Sequence, residues 1–514
     1  MRSVNDLLRP ERFFRRILLA CSAAAVLMAL VGASAALWTT HGITEVESII
    51  ASQATYLSKG GGLYYDLNAY PFTVSPYGPL LYGLEAVSVL AGFAPVTTGR
   101  LISLAALCGV LFLINRLLRL HLTDPYAVWT GTLCAGASAN LITWGSVGQS
   151  DMLALFFSVA ALERYSEYRI KGTPQALTLS AVCIAGAIYS KQSFVAAGAA
   201  ITIFHLLRDG RRGFPFVLGL GAAGIAIAGA LNWATAGGYW QNAVIANLNP
   251  FSLGTLSDQL SYLIPTAAWL ALLAAAGFAR TKVQGVHLFG LYLALSLTVF
   301  LAISPKVGSD LNYQIETVVA LCLCAAWSLD RLNFFRLLFA GDRSWVTLLQ
   351  LPLMLYIVLN IAVTAKVALQ RVGRDLEREQ QFQAITPYLR DPGRLVSVEI
   401  DPLLLVGRPI EVEPLIFTFV EEAGMLDGTP VLEDLLHKRF SVIILYEDLF
   451  KKDRTKLQLG TPTLPDAHLE AIAKEYALVD YAPGPLVGGL YIYKPKVEPA
   501  ALSRLDAAPQ VIPQ

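Results

Sequence analysis

The hydrophobic pattern of the chain is a succession of apolar runs, each long enough for a membrane-spanning helix and separated by short polar connections. A helix of about 20 apolar residues crosses the hydrocarbon core of a bilayer. The pattern therefore predicts an all-α polytopic membrane protein with about eleven transmembrane helices. The runs lie at about 17–38, 98–118, 125–145, 150–166, 174–190, 192–208, 214–233, 260–279, 284–303, 311–329 and 344–365.

A further apolar run at 77–94 is interrupted by Glu85 and by proline and glycine. If this run lies in the membrane interface, eighteen basic residues fall on one side of the membrane and only four (Lys59, Arg100, Lys191 and Lys306) on the other. Cytoplasmic loops carry the excess of Lys and Arg. We therefore predict a cytoplasmic N-terminus and two interfacial helices in the first outer loop, at about 44–58 and 78–93.

Beyond Lys366 the chain becomes rich in charge and proline. Strand-like runs at 395–400 and 440–446, a helical pattern at 468–476 and a paired run across Pro483 to Pro485 predict a small α/β domain. The predicted organisation is a transmembrane module at 1–366, an extracytoplasmic α/β domain at 367–496 and a disordered tail at 497–514. The domain carries no recognisable phosphate loop, nucleophile elbow or metal motif.

The composition supports the membrane assignment and excludes other classes. Of the 514 residues, 55% are hydrophobic and 15% charged, whereas soluble domains carry about 25% charged residues. A formal charge of +1 gives no long-range field to attract nucleic acid, so no nucleic-acid partner is expected. The six cysteines all lie in apolar segments, which argues against a disulfide framework or a zinc site.

With the predicted topology, unusual polar residues collect on one side of the membrane. This gathering of carboxylates, amines, amides and an aromatic residue predicts an active site. A bland alternative exists for each member: a solvated helix start, a snorkelling lysine, an interfacial aromatic residue or a polar contact between helices. The candidates are Glu45, Glu47, Asp66, Asp151, Lys191, Tyr239, Asn247, Lys306, Asp310, Asn312 and Glu316.

Several short motifs occur in a characteristic order. The acidic first loop is followed by Gly-Gly-Leu-Tyr-Tyr-Asp66 and Pro-Phe-Thr-Val-Ser-Pro-Tyr-Gly-Pro79, then by Gly-Gln-Ser-Asp151, Ser-Lys-Gln192 and Gly-Ser-Asp-Leu-Asn-Tyr313. Over about residues 10–365 the chain resembles bacterial integral-membrane glycosyltransferases of the C type (GT-C), relatives of protein O-mannosyltransferases and aminoarabinose transferases.

The resemblance implies transfer of a sugar from a polyprenyl-phosphate carrier to an acceptor at the outer face of the bacterial inner membrane. It also implies that a first-loop carboxylate is the general base or lies beside a metal. Where the family often has an Asp-Glu pair, this chain has Glu45-Val-Glu47. Spacing to Ala54 and Gly60 favours Glu47, and either glutamate remains a candidate.

The residue types fit this chemistry. Attack of a hydroxyl on an anomeric carbon needs a carboxylate to take the proton, which Glu47 or Glu45 would supply. The leaving phosphate needs positive charge or a metal, and Lys191 and Lys306 are the candidate partners. Asn247 and Tyr239 could bind the hydroxyl groups and face of the sugar, and direct displacement would invert the anomeric configuration.

Other features are left open by the sequence. The paired glutamates leave room for a divalent metal such as Mg or Mn, and the acceptor could be a glycan, a lipid or a protein. The main rival function is a transporter or lipid flippase, although no internal repeat of the kind common in transporters is visible. A third interpretation is a non-catalytic scaffold whose outer domain binds a partner.

Overall fold

The computed structural model describes residues 42–280, 287–334, 346–451, 463–484 and 489–496, together with 36–38 and isolated positions between 20 and 32. The chain divides into two compact units. The first comprises Met1–Leu63 and Ser75–Val372, and the second comprises Tyr64–Val74 and Gly373–Gln514. Most of the predicted anchor at 17–38, the N-terminal arginines and the predicted tail at 497–514 lie outside the described residues.

The first unit is helical, and every predicted apolar run from residue 98 onward overlaps one or two helices in the described part of the chain. A multi-pass membrane protein is thus the correct class. The helices are α1 (Glu45–Ser58), α2 (Pro79–Leu90), α3 (Pro95–His121), α4 (Pro125–Ala137), α5 (Ala139–Gly145), α6 (Ser150–Lys171), α7 (Pro174–Ser190), α8 (Ala196–Asp209), α9 (Phe214–Ala234), α10 (Gly238–Ala243), α11 (Leu253–Arg280), α12 (Leu288–Ile303), α13 (Ile315–Arg331) and α14 (Val346–Leu389).

The predicted number of crossings is not settled by helix length. Within the described part of the chain, four helices are long and apolar enough to cross a membrane, or five if the bent pair of α5 and α6 counts as one span. The apolar run at 125–145 is broken at Ser138, whose side chain caps α5. A bend of 117° between α5 and α6 then leaves the 146–149 turn inside the helix bundle. About eleven crossings therefore remains a prediction.

Two short helices occupy the first loop where the sequence predicts them. Thr44 is the N-cap of α1, and its hydroxyl accepts a hydrogen bond from the amide of Glu47. Pro79 begins α2, a position where its missing N–H is not needed. With 12 residues, α2 is about 18 Å long, too short to cross a bilayer as a straight helix.

The long helices carry polar residues at both ends. On α3, Arg100 lies near one end and Arg116 about 24 Å away near the other. On α6, Asp151 is in the first turn and Lys171 is the last residue. We call the end with Arg100 and Asp151 the first-loop end, and the end with Arg116 and Lys171 the basic end.

The second unit contains a four-stranded sheet in the order β1-β2-β4-β3, with β1 parallel to β2 and the other pairs antiparallel. The predicted strands and the predicted helix at 468–476 are present within a few residues. The strands are β1 (Arg394–Ser397), β2 (Phe440–Leu445), β3 (Tyr476–Ala482) and β4 (Leu490–Pro495), and the helices are α15 (Asp401–Leu405), α16 (Pro414–Glu422), α17 (Thr429–Leu436) and α18 (Asp466–Glu475).

A piece of the first loop, Tyr64–Val74, belongs to this second unit, which the sequence did not predict. The Phe72 amide donates to the Glu411 carbonyl at 2.8 Å, and the Tyr70 hydroxyl donates to Asp434 at 2.8 Å. Arg394 binds Asp434 at 2.6 Å and lies over the ring of Tyr70. The boundary between the units at 372/373 falls inside α14, near the predicted boundary at 366/367.

Candidate active site

Glu47 and Arg100 form a buried ion pair at the first-loop end. Arg100 Nε donates to Oε1 at 2.9 Å and Nη2 donates to Oε2 at 2.8 Å, a two-pronged contact between α3 and α1. The amides of Gly148 and Ile43 donate to the same two oxygens, at 2.6 and 2.7 Å. Each carboxylate oxygen thus accepts two hydrogen bonds, and both side chains are almost fully buried.

The turn between α5 and α6 is held tightly against this pair. A Cβ atom on Gly148 would lie 3.1 Å from Glu47 Oε1 and 3.1 Å from the Gly99 backbone, so the position favours glycine. The next residue, Gln149, donates from Nε2 to the Thr44 hydroxyl at 2.8 Å. The start of α1 and the start of α6 are therefore fixed to one another.

Lys191 and Asp151 form a second buried ion pair, with Nζ 2.7 Å from Oδ1. The ammonium group also lies over the rings of Tyr77 and Tyr313, at 5.1 and 4.9 Å from their centroids. Asp151 Oδ2 has no hydrogen-bond partner among the described residues. An ammonium has three donors and a carboxylate about four acceptor sites, so this pair keeps capacity for a ligand.

The first loop reaches Lys191 through a close backbone contact. A Cβ atom on Gly78 would lie 2.0 Å from the Tyr189 carbonyl oxygen, so only glycine fits here. Gln192 and Asn247 both donate to the Pro76 carbonyl, at 2.7 and 2.9 Å. These contacts hold Tyr77 beside Lys191.

Lys306 and Asp310, from the loop after α12, lie within electrostatic range of this second pair. Burial and the nearby charge of Lys191 lower the pKa of Lys306. Burial, with a contribution from Asp151, raises the pKa of Asp310. The structure thus brings together four of the residues predicted from sequence: Asp151, Lys191, Lys306 and Asp310.

Three further candidates are buried or hydrogen-bonded within the helical unit. Tyr239 is buried on α10. The side-chain amide of Asn247 donates hydrogen bonds to the carbonyls of Pro76 and Ala243. Glu316 is buried and accepts a hydrogen bond from the Tyr292 hydroxyl at 3.2 Å, which matches the alternative of a polar contact between helices.

Two candidates differ sharply in their surroundings. Asn312 is buried, and its Oδ1 has no partner in the part of the chain that is described. Asp66 belongs to the second unit, where its carboxylate accepts a hydrogen bond from the Asn68 amide at 3.0 Å.

Sequence reasoning missed three residues of this site. Arg100 entered the topology prediction only in the count of basic residues on each side of the membrane. A single arginine near the start of a long apolar helix nevertheless indicates a buried partner. Tyr77 and Tyr313 belong to the short motifs of the first loop and of residues 308–313. No pattern in the sequence indicates that their rings contact a lysine. Of the two predicted first-loop glutamates, Glu45 is half-buried in the first turn of α1, whereas Glu47 is buried.

Glu47 does not fit a metal site. Both oxygens of Glu47 accept hydrogen bonds from the Arg100 guanidinium and from backbone amides, so Glu47 cannot also bind a cation without breaking these bonds. No group of three or more His, Cys, Asp or Glu side chains that could hold a metal ion occurs among the residues described.

Solved structures with the same architecture are known. ArnT from Cupriavidus metallidurans bound to undecaprenyl phosphate aligns with a TM-score of 0.61 and 12% identity, over 92% of this chain and 97% of that one. Its apo state gives a TM-score of 0.57. Arabinofuranosyltransferase AftD from Mycobacteria gives 0.51 and 16% identity, over 94% of this chain and 40% of that longer one. No protein-family model and no curated sequence matches the chain.

Proposed function

We propose that this chain, which has the fold of the GT-C glycosyltransferases, is a membrane glycosyltransferase that uses a polyprenyl-phosphate-linked sugar. The observation that carries the proposal is the buried Lys191–Asp151 pair. Its unused hydrogen-bonding capacity lies at the first-loop end, which also holds the first-loop glutamates. The ArnT structure with undecaprenyl phosphate supports a carrier of this class.

In the proposed reaction, an acceptor hydroxyl attacks the anomeric carbon and the bond from that carbon to the phosphate oxygen breaks. The Lys191 ammonium hydrogen-bonds the departing polyprenyl phosphate and stabilises its developing charge. Asp151 holds the ammonium in place and keeps it charged in a buried site. Displacement in one step inverts the anomeric configuration.

The proton of the acceptor hydroxyl goes to a first-loop carboxylate. Glu47 is committed to Arg100 and Gly148, so we assign the role of general base to Glu45. Glu45 lies beside Thr44, which is hydrogen-bonded to Gln149 at the start of the segment that carries Asp151. Lys306 adds positive charge near the phosphate, and Asp310, Asn312, Tyr239 and Asn247 are the further candidates for contact with the sugar.

The charge pattern supports a location in the bacterial inner membrane with a cytoplasmic N-terminus and an extracytoplasmic C-terminal domain. The first-loop end is then extracytoplasmic, and the acceptor is a glycan, a lipid or a protein reached from that side. The second unit, which includes Tyr64–Val74 of the first loop, is a candidate acceptor-binding element.

The test is release of free polyprenyl phosphate by purified protein incubated with a panel of polyprenyl-phosphate sugars and a cell-envelope acceptor extract. With a competent donor, Lys191→Met should lower the release rate by about 10²- to 10³-fold. The matched control is Lys171→Met, which removes an exposed lysine at the basic end. Equal rates for Lys191→Met and the control, in protein that folds normally, would contradict the proposal.

A further inference from the structure

The basic end of the first unit contains a cavity that the proposed transfer reaction does not use. It has a volume of about 750 Å³ and lies between the ends of α6, α7, α8 and α9. Its polar wall is formed by Tyr168, His205, Arg208 and Arg212, and its apolar wall includes Leu177 and Phe216. We infer that this cavity binds the phosphate headgroup of an anionic phospholipid, with an acyl chain between α7 and α9.

The charges of the cavity favour an anion. Its one carboxylate, Asp209, is already neutralised, because Arg169 donates to both of its oxygens at 2.7 and 2.8 Å and His205 Nδ1 lies 3.0 Å from one of them. Arg208 lies over the ring of Phe204. Neither Arg208 nor Arg212 has a carboxylate partner within the described ranges. Two arginines thus line the cavity without a carboxylate partner among the residues described, and guanidinium matches the geometry of phosphate.

The apolar wall favours a lipid over a free phosphate ion. Helix α9 has no buried residue along its length, and Leu218 and Ile225 are 66% and 77% exposed within the protein. A Cβ atom built on Gly219 or Gly224 would meet nothing within 4 Å, so open space runs beside this helix.

Helix α9 contacts α7 at a point beyond the cavity. The Tyr189 hydroxyl donates to the Gly224 carbonyl at 2.6 Å, about 12 Å along the helix from Phe216. The apolar surfaces of α7 and α9 between that contact and the cavity would pack against the first part of an acyl chain whose headgroup lies at Arg208 and Arg212. Basic pockets between transmembrane helices are a recurring site for anionic headgroups.

The test uses full-length protein in nanodiscs of phosphatidylcholine with added phosphatidylglycerol, released for native mass spectrometry. Wild-type protein should retain phosphatidylglycerol, and Arg208→Gln with Arg212→Gln should lower that retention by about tenfold or more. The control is Arg211→Gln with Arg331→Gln, which removes two charges at the same end but outside the cavity. Equal loss in both double variants, or loss in neither, would overturn the inference.

A second variant separates lipid from free phosphate. A Cβ atom at Gly219, which lines the cavity, meets no atom within 4 Å. Gly219→Phe should therefore place a ring against the apolar wall and prevent retention of phosphatidylglycerol while inorganic phosphate binds as before. If inorganic phosphate competes with the lipid at equal concentration, the site is a phosphate site and the inference fails. It also fails if polyprenyl phosphate displaces phosphatidylglycerol at low ratio, because the site would then serve the carrier. Folding of each variant is checked by its melting temperature.

Discussion

The two buried ion pairs at the first-loop end look alike in burial but differ in how completely their hydrogen bonds are used. In the Arg100–Glu47 pair, two guanidinium donors and two backbone amides fill the carboxylate. In the Lys191–Asp151 pair, one hydrogen bond joins the partners, two tyrosine rings flank the ammonium and one carboxylate oxygen has no partner among the described residues.

We interpret the filled Arg100–Glu47 pair as a structural contact and the Lys191–Asp151 pair as part of the proposed binding site. A carboxylate that accepts four hydrogen bonds can change its partners only by breaking the fold around it. A buried polar atom without a hydrogen-bond partner destabilises the folded protein. Such an atom is expected where a bound ligand supplies the missing hydrogen bond. The comparison predicts that removing the charges of one pair affects stability and removing those of the other affects transfer.

The largest effect is expected when both charges of the open pair are removed together. Lys191→Met with Asp151→Asn leaves no unpaired charge, so the protein should fold with a melting temperature similar to that of the wild type. Transfer should fall by about 10³-fold or more, measured as release of free carrier. A folded double variant that transfers sugar at the wild-type rate would show that the open pair is not part of the site.

The next effect is on stability. Arg100→Met leaves the Glu47 charge buried without its partner, which costs about 3–5 kcal/mol and should appear as a large fall in melting temperature in detergent. Arg100→Met combined with Glu47→Gln should recover most of this loss and retain transfer. If that double variant folds but is inactive, Glu47 has a catalytic role and the comparison is wrong.

The two glutamates of the first loop provide a direct contrast. Glu45→Gln should lower the transfer rate by about 10²-fold or more with little change in melting temperature, since it removes the proposed base. Glu47→Gln should lower the melting temperature because it leaves Arg100 buried without a charged partner. The reverse result, with Glu45→Gln active and Glu47→Gln stable but inactive, would assign the base to Glu47.

The rings around Lys191 should have a smaller effect. Tyr313→Leu removes one cation–π contact, worth about 0.5–2 kcal/mol, and should raise the KM for the donor by about 2- to 30-fold. Tyr313→Phe keeps the ring and should leave KM unchanged. A KM change with Tyr313→Phe equal to that with Tyr313→Leu would point to the hydroxyl group instead.

The smallest expected effect is on the pH profile. Burial and the charge of Lys191 lower the pKa of Lys306, so its ammonium charge is lost at a lower pH than that of an ordinary lysine. If its charge assists departure of the phosphate, transfer should decline on the alkaline side, and Lys306→Arg should shift that decline to higher pH. The melting temperature over the same range serves as the control, and an unshifted profile would remove Lys306 from the site.

Much of the fold could be predicted from sequence because its signals are local. The helices α1 and α2 appear where Thr44 and Pro79 can begin a helix, and the paired strands β3 and β4 lie on either side of Pro483 in the sequence. The break at Ser138 inside one apolar run was missed, because a long hydrophobic stretch gives the same signal whether its helix is straight or bent.

The site was predicted as a set of residues, and its pairing was not. The sequence predicted Asp151, Lys191, Lys306 and Asp310 on one side of the membrane. Asp151 and Lys191 form an ion pair, and Lys306 and Asp310 lie within electrostatic range of it. It gave no reason to join Glu47 to Arg100, which lie 53 positions apart. It also gave no sign that Tyr64–Val74 would belong with the C-terminal sheet.

The amino-acid sequence by itself determined the helices, their caps and the separation of charge between the two ends, since each depends on neighbouring residues and on the bilayer. Only the tertiary structure decided which carboxylate meets which cation. That choice depends on close backbone approaches at Gly78 and Gly148 and on partners 40 to 53 positions apart, which no local sequence pattern encodes.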